Sequence, residues 1–382
     1  MKSVTLIINT IKRATIVALL FLGHTLIYCE IFDVRALWVV RDHIITKDKL
    51  DEVLSFAEAN NYNHLFIQIR GRGDAYYNSK LVPRPHLLKD TNFDPLAYVI
   101  KKTRHSSIKI HAWFNVYYLW SSSKKPSQSD HLLFIHPEWL DTKYPDPLDI
   151  GQTLDDIRRN RNPNEEGIYL APTHPEVEAH LQNILTELLQ NYHLDGIHFD
   201  YVRYQDLEWG LNPVGMKYFF QYSGSLPGLP ALEVQGKPSF SDFKNASITQ
   251  FIHKASRRIK AYQPDCIVSA AVKPNLFKAQ NNFGQKWDDW LASGYLDWAV
   301  PMNYATDMNT FNENLKIMKD NIPPEYHDKI IMGIATYNQD PEAAGRKIYQ
   351  TGKNDFGGIS IFSFTVFKDE PSYASKLLKY FQ

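Results

Sequence analysis

Cysteine is almost missing from this 382-residue chain, which has only Cys29 and Cys266. Two such distant thiols build neither a disulfide framework nor a cysteine metal site. Cys266 opens an apolar run and reads as a small buried hydrophobe. An excess of either charge is missing as well, with 42 Lys and Arg against 42 Asp and Glu. That balance excludes a protein built to coat nucleic acid, which would carry a strongly basic face. No glycine-rich phosphate loop follows the first strand-like run, which argues against nucleotide binding. His131, His136 and His174 are scattered without ligand spacing, and no His-x-x-x-His occurs, so no metal and no cofactor are expected. Internal repeats and low-complexity segments are missing too.

The one long apolar run lies at the N-terminus. Lys12 and Arg13 precede residues 14–28, which are interrupted only by Thr15, Gly23, His24 and Thr25. A basic start followed by a short apolar stretch reads as a secretory signal. It is shorter than the ~20 residues of a spanning helix, so cleavage is expected rather than a stable membrane span. Tyr28 is too bulky for the position before a lipid-modified Cys29. The expected organisation is a signal peptide over residues 1–29 and one domain over 30–382. Losing Lys2, Lys12 and Arg13 leaves the mature chain about three charges negative. An exported chain without paired cysteines suits a bacterial-type periplasmic, secreted or cell-surface location.

What is present is an alternation. Runs rich in Val, Ile, Phe and Trp cover 34–40, 64–70, 109–115, 196–202, 266–272, 298–304, 330–336 and 357–364. Helical stretches over 47–60, 95–105, 175–192, 248–262 and 286–293 lie between them. In 175–192, Val177, Leu181, Ile184, Leu185, Leu188 and Leu189 recur at three- and four-residue spacing, and Pro175 suits a first turn. Strict strand–helix alternation implies parallel strands with right-handed crossovers. Eight units predict a (β/α)8 barrel as a single domain. Two long connections, 121–168 and 205–242, follow the third and fourth runs. They leave C-terminal strand ends, the face on which barrels assemble catalysis. Most of the aromatic residues are core, and some are expected to form sugar-stacking platforms.

The strongest chemical signal is the segment 195–204, Asp-Gly-Ile-His-Phe-Asp-Tyr-Val-Arg-Tyr. Strand side chains alternate, so His198 and Asp200 share one face and Ile197, Phe199 and Tyr201 the other. The apolar set should face the helices, which sends Asp200 to the floor of a cleft. A carboxylate there is costly to bury without partners. Catalysis, or an ion pair with Arg203 or another barrel arginine, would account for it. In the second run Gln68 and Arg70 share the inward face, and Gly71 and Gly73 allow a tight turn before Asp74. In the third, His111, Trp113 and Asn115 share a face, as a sugar-contacting wall or as core with a satisfied amide. Tyr304 and Asp307 end the sixth run, where a second catalytic group would lie, although Asp307 would equally serve as a helix N-cap. Lys273, at the end of the fifth, is placed to tune a carboxylate.

Taken together, these segments resemble the glycosyl hydrolase-like family ten proteins, glycosidases distinct from the family-ten xylanases. The resemblance is carried by 34–40, by 68–77 with Gly73-Asp74-Ala75, by Asn78-Ser79-Lys80-Leu81 and by His111-Ala112-Trp113-Phe114-Asn115. It continues through 136–140, Tyr169-Leu170-Ala171-Pro172 and His174-Pro175-Glu176-Val177 into 195–204. It implies a barrel acting on glycans, with bacterial cell-wall polysaccharide among the substrates. The segment 195–202 also resembles the chitinase strand Asp-Gly-x-Asp-x-Asp-x-Glu, but His198 replaces the middle Asp and Val202 the acid Glu. That departure argues against chitinase-type chemistry. The expected function is glycoside hydrolysis of a polysaccharide, with Asp200 as nucleophile or base and Asp307 as acid. Arg70, Asp74, Trp113, Asn115, His198, Arg203 and Tyr304 are the expected substrate contacts. The alternative is a catalytically silent glycan-binding barrel, which would lack a second carboxylate near Asp200. A metal-dependent deacetylase is disfavoured by the lack of clustered ligands.

Overall fold

The computed structural model describes residues 32–143, 154–155, 165–221 and 239–381, so the expected signal peptide lies outside the described residues. Eight strands form one parallel sheet: β1 (Val34–Val39), β2 (His64–Arg70), β3 (Lys109–Asn115), β4 (Gly196–Asp200), β5 (Ile267–Val272), β6 (Trp298–Pro301), β7 (Ile331–Ala335) and β8 (Gly358–Phe362). Their order is β6-β5-β4-β3-β2-β1-β8-β7. First and last strands pair in parallel, Val34 with Gly358 and Leu37 with Ile361, as the eightfold alternation predicts. The thin place is between β6 and β7, which meet only through the isolated parallel bridges Ala299–Ile330 and Met302–Gly333. The result is a nearly closed (β/α)8 barrel.

Local sequence chemistry sets the helices between the strands. Thr46, Asp94 and His174 cap the helices Lys47–Ala59, Pro95–Thr103 and Pro175–Asn191 by accepting backbone N–H groups of the first turn. Ser239 and Asp242 form a reciprocal capping box on Phe240–Tyr262, which starts eight residues earlier than the hydrophobic spacing alone suggests. The predicted stripe of Pro175–Asn191, from Val177 to Leu189, is buried against the sheet.

Strand alternation divides the core in two. Leu37, Val39, Leu65, Ile67, Ala112, Phe114, Ile197 and Phe199 point out to the helices. Ala36, Trp38, Phe66, Trp113, Val300 and Ile331 fill the barrel itself. Cys266 is free and buried, as its apolar setting suggests. The long connection after β3 folds back as an antiparallel pair, Tyr118–Trp120 with Ile168–Tyr169. Its segment 136–140 contains a single turn of 3-10 helix, Pro137–Trp139. The connection after β4 is sewn to it: Leu211 N donates to Thr142 O at 2.8 Å, and Asn212 Nδ2 to Leu140 O at 2.8 Å. Both loops therefore stand over the C-terminal end of the barrel. Among the described residues no helix is long and apolar enough to cross a membrane.

Candidate active site

The end of β4 sets the site. His198 and Asp200 both point into the barrel, at different depths. His198 is fully buried and stacks on Phe66 at 4.0 Å. The Trp38 indole, which can only donate, gives its N–H to His198 Nε2 at 3.1 Å. The imidazole proton therefore sits on Nδ1 and is donated to Ser269 Oγ at 2.9 Å. Burial lowers the pKa of His198 to about 3. It is a neutral strut beneath the cleft floor, which corrects its expected place among the substrate contacts.

Asp200 sits one layer higher, where the strand breaks. Tyr201 takes a left-handed backbone conformation, φ 51°, which a side-chain-bearing residue adopts only under constraint. The turn aims its N–H at Asp200 Oδ1, 2.7 Å away, while Trp113 Nε1 donates to Oδ2 at 3.1 Å. Asp200 is 7% exposed. Burial pushes its carboxyl up to about 6, against the pull of Arg203 and the two hydrogen bonds, with Glu166 adding to the rise.

Glu166 is the second carboxyl, and no motif marked it. It belongs to the connection after β3, just before the strand Ile168–Tyr169. Gln205 fixes its backbone, accepting from Glu166 N at 2.7 Å and Gly167 N at 3.3 Å and donating to Gly167 O at 2.9 Å. Its Oε2 receives Arg203 Nη2 at 2.7 Å and the Tyr169 hydroxyl. Burial alone would raise its pKa, but Arg203, Tyr169 and Lys273 together outweigh burial and hold it below the usual glutamate value. Lys273, at the end of β5, is lowered to about 8 by burial and by Arg203, with Glu166 and Asp200 opposing.

All eight strand ends contribute to one cleft of about 730 Å³. Of the expected site residues, Asp200, Trp113, Asn115, Arg203 and Tyr304 line it. Asn115 Nδ2 donates to Gly71 O at 2.9 Å while its Oδ1 has no partner, and the Tyr304 hydroxyl is likewise unpaired. Trp38, Tyr337 and Phe362 add aromatic wall, and Tyr118 stacks on Tyr201 at 4.4 Å. These escape a reading of the sequence because each is also an ordinary core or rim aromatic.

Three further expected residues lie elsewhere. A bulge in β2 shifts the register, so that Gln68 faces Trp113 but Arg70 faces Phe114. The extra residue inverts the alternation. Arg70 is thereby sent outward, fully buried over the Phe114 ring and donating to Asn115 O and to Val116 O at 3.2 Å. Asp74 turns into its own loop, accepting from Gly71 N at 3.2 Å and Arg72 N at 2.9 Å. Asp307 is exposed and caps the helix Met308–Asn321 through Thr310 N at 2.8 Å. It takes the N-cap role, not that of a cleft acid. Among the described residues no group of three or more His, Cys, Asp and Glu is placed to hold a metal.

Comparison with known proteins adds relatives to this geometry. Residues 33–344 match the model of the family described as Glycosyl hydrolase-like 10. Glycosyl hydrolase YngK of Bacillus subtilis is 23% identical over 300 residues, which are 70% of this chain and 51% of that protein. Glycosyl hydrolase DigH of Escherichia coli K12 is 23% identical over 325 residues, 76% of this chain and 65% of that one. The chain thus spans from half to just under two thirds of the length of these relatives. Among solved structures, the PgaB (BpsB) glycoside hydrolase domain of Bordetella bronchiseptica superposes with TM-score 0.64 at 14% identity, covering 91% of this chain and 98% of that one. The α-L-fucosidase isoenzyme 2 of Paenibacillus thiaminolyticus gives TM-score 0.61 at 14% identity, covering 91% of this chain and 48% of that one. At these identities the superpositions establish the barrel fold alone.

Proposed function

Since the chain belongs to the glycosyl hydrolase-like 10 family, we propose that it is an exported glycoside hydrolase cutting O-glycosyl bonds of a polysaccharide, bacterial cell-wall glycan first among the candidates. One observation carries the proposal: two carboxyl groups in one cleft are driven to opposite protonation preferences, Asp200 up and Glu166 down. Such a split assigns roles. Asp200, with a pKa of about 6, carries the proton to the leaving glycosidic oxygen and serves as base when water enters. Glu166 stays ionised under Arg203 and faces the positive charge that develops at the sugar carbon. This keeps the base role expected of Asp200, passes the nucleophile or stabiliser role to Glu166, and leaves Asp307 outside the chemistry. The relatives named as glycosyl hydrolases support the same class.

The competing reading, a silent glycan-binding barrel, loses ground because a second carboxylate is present in the cleft. Incubating the protein with purified cell-wall glycan and with storage polysaccharides, and identifying the products, tests the assignment. Asp200→Asn and Glu166→Gln should each lower kcat by orders of magnitude while glycan binding persists. In the parent protein kcat/KM should fall as pH rises through about 6, because Asp200 must begin protonated, and that limb should vanish in Asp200→Asn. Full activity in a folded Asp200→Asn protein would rule out the role of Asp200. Binding without any cleavage would favour the silent barrel.

A further inference from the structure

The cleft holds two kinds of arginine. Arg203 is neutralised, its guanidinium paired with Glu166 at 2.7 Å. Arg41, just after β1, and Arg72, in the turn after β2, also line the cleft, and among the described residues no carboxylate pairs with either. The acids closest in sequence do not serve. Asp42 stands exposed at the rim and, among the described residues, forms no ion pair, and Asp74 is spent on the backbone of its own turn. Arg41 acts on its neighbour: the pKa of Arg72 is lowered first by burial and next by Arg41, with Tyr118, Asp74 and Tyr76 opposing. Like charges held together in a half-buried site, with the Asp74 carboxylate acting on Arg72 but paired with neither guanidinium, repel each other in the empty cleft.

The surroundings point these cations at a ligand. A side chain on Gly71 would put its Cβ 2.9 Å from Arg41 Nη1, so the bare glycine lets that guanidinium lie across the turn. Gln68 Oε1 accepts from Arg41 N at 3.2 Å and from Arg41 Nη1 at 3.3 Å, which leaves the Gln68 amide nitrogen as a donor. Arg72 Nε is buried without a partner, and the guanidinium lies 5.7 Å from the centre of the Trp120 ring. Gln68, Arg41 and Arg72 thus present donors and no acceptor to one stretch of the cleft. Planar guanidinium forks are the side chains that best match an oxyanion.

We propose that Arg41 and Arg72, with Gln68, form a subsite for an oxyanion substituent of the bound sugar chain, a carboxylate or a sulfate ester. The inference rests on the cleft being a glycan site, as proposed above, and it makes the enzyme one for acidic rather than neutral glycan. It does not depend on cleavage, so binding tests it separately.

Calorimetry on the full chain carrying Asp200→Asn, which prevents turnover, compares three oligosaccharides of one backbone. One bears uronic acids, one has those carboxyls reduced to alcohols, and one is the reduced form carrying sulfate esters. The expected result is at least tenfold tighter binding of an acidic form than of the neutral one, weakening as salt is added. The uronate and sulfate arms identify which oxyanion the subsite takes. Added Arg41→Gln or Arg72→Gln should erase the preference, bringing the acidic form down to the affinity of the neutral one in a protein that stays folded. Arg72→Lys should restore part of it. Equal binding of acidic and neutral forms, absence of binding by all three, or a preference that survives both arginine replacements overturns the subsite. A preference that follows the arginines in a protein found to cleave nothing would uphold the subsite while the hydrolase assignment fails.

Discussion

Asp141 is a fully buried acid outside the cleft, at the place where the two long loops are sewn together. Burial raises its pKa to about 7, although Lys244 and the amides of Thr142 and Gly210 oppose the rise. The folded carboxyl therefore holds its proton more tightly than the unfolded one. Its contribution to stability is complete below about pH 4 and is lost as pH climbs through 7. Replacement by Asn keeps the shape and removes the titration. Denaturant unfolding at pH 5 and pH 8 should show the parent losing roughly 2–4 kcal/mol more than Asp141→Asn over that interval. Identical pH dependence in the two proteins would show that Asp141 ionises freely in the fold. Asp200 shifts in the same direction, so both proteins share its effect and the difference isolates Asp141.

At the scale of elements, the alternation that governs each strand also shows where the sequence could be read. On β4 it placed Ile197 and Phe199 outward and His198 and Asp200 inward, as found. What alternation cannot give is depth, so His198 lies under the floor and Asp200 on it. On β2 one bulged residue reversed the parity, and Arg70 went to the outer layer while Gln68 and the unheralded Arg72 lined the cleft. Bulges leave no trace in the pattern of apolar residues. Glu166 was illegible for another reason: it stands in a long connection, where position depends on contacts with Gln205 and Arg203 that lie far ahead in sequence. The β6–β7 seam is similarly invisible from periodicity. Pro301 has no N–H to offer, so the strands are joined by isolated bridges, with Asn303 N donating to Gly333 O at 3.0 Å where Gly333 lets the backbones approach. Hydrogen exchange should therefore release the amides of 298–303 before those of Val34–Val39, which pair on both sides. Equal protection of the two strands would mean that the barrel opens only as a whole.

For the whole molecule, the fold was the most legible property, because eight alternations of strand and helix admit few other closures. The polarity of the barrel follows: every long connection that shapes the cleft leaves a strand at its C-terminal end. Export belongs to this scale also. We propose that residues 1–29 direct secretion and are removed, on the strength of Lys12 and Arg13 before a short apolar run. Mass spectrometry of the native protein should find a first residue between His24 and Asp33. An intact Met1 on a membrane-embedded chain would refute it.

Asp200 and Glu166 are anchored in unlike ways. Asp200 is a barrel residue, fixed by the sheet and by the Trp113 indole. Glu166 is a loop residue whose backbone is held by side chains, its N–H by the Gln205 amide and its carbonyl by the Tyr118 hydroxyl. The gap between them is thus a joint with one rigid jaw and one adjustable jaw. Since that gap decides whether a glycosidase leaves room for a water molecule between acid and partner, the proposed chemistry would have its stereochemical outcome adjusted through the loop that Gln205 holds, and not through a strand.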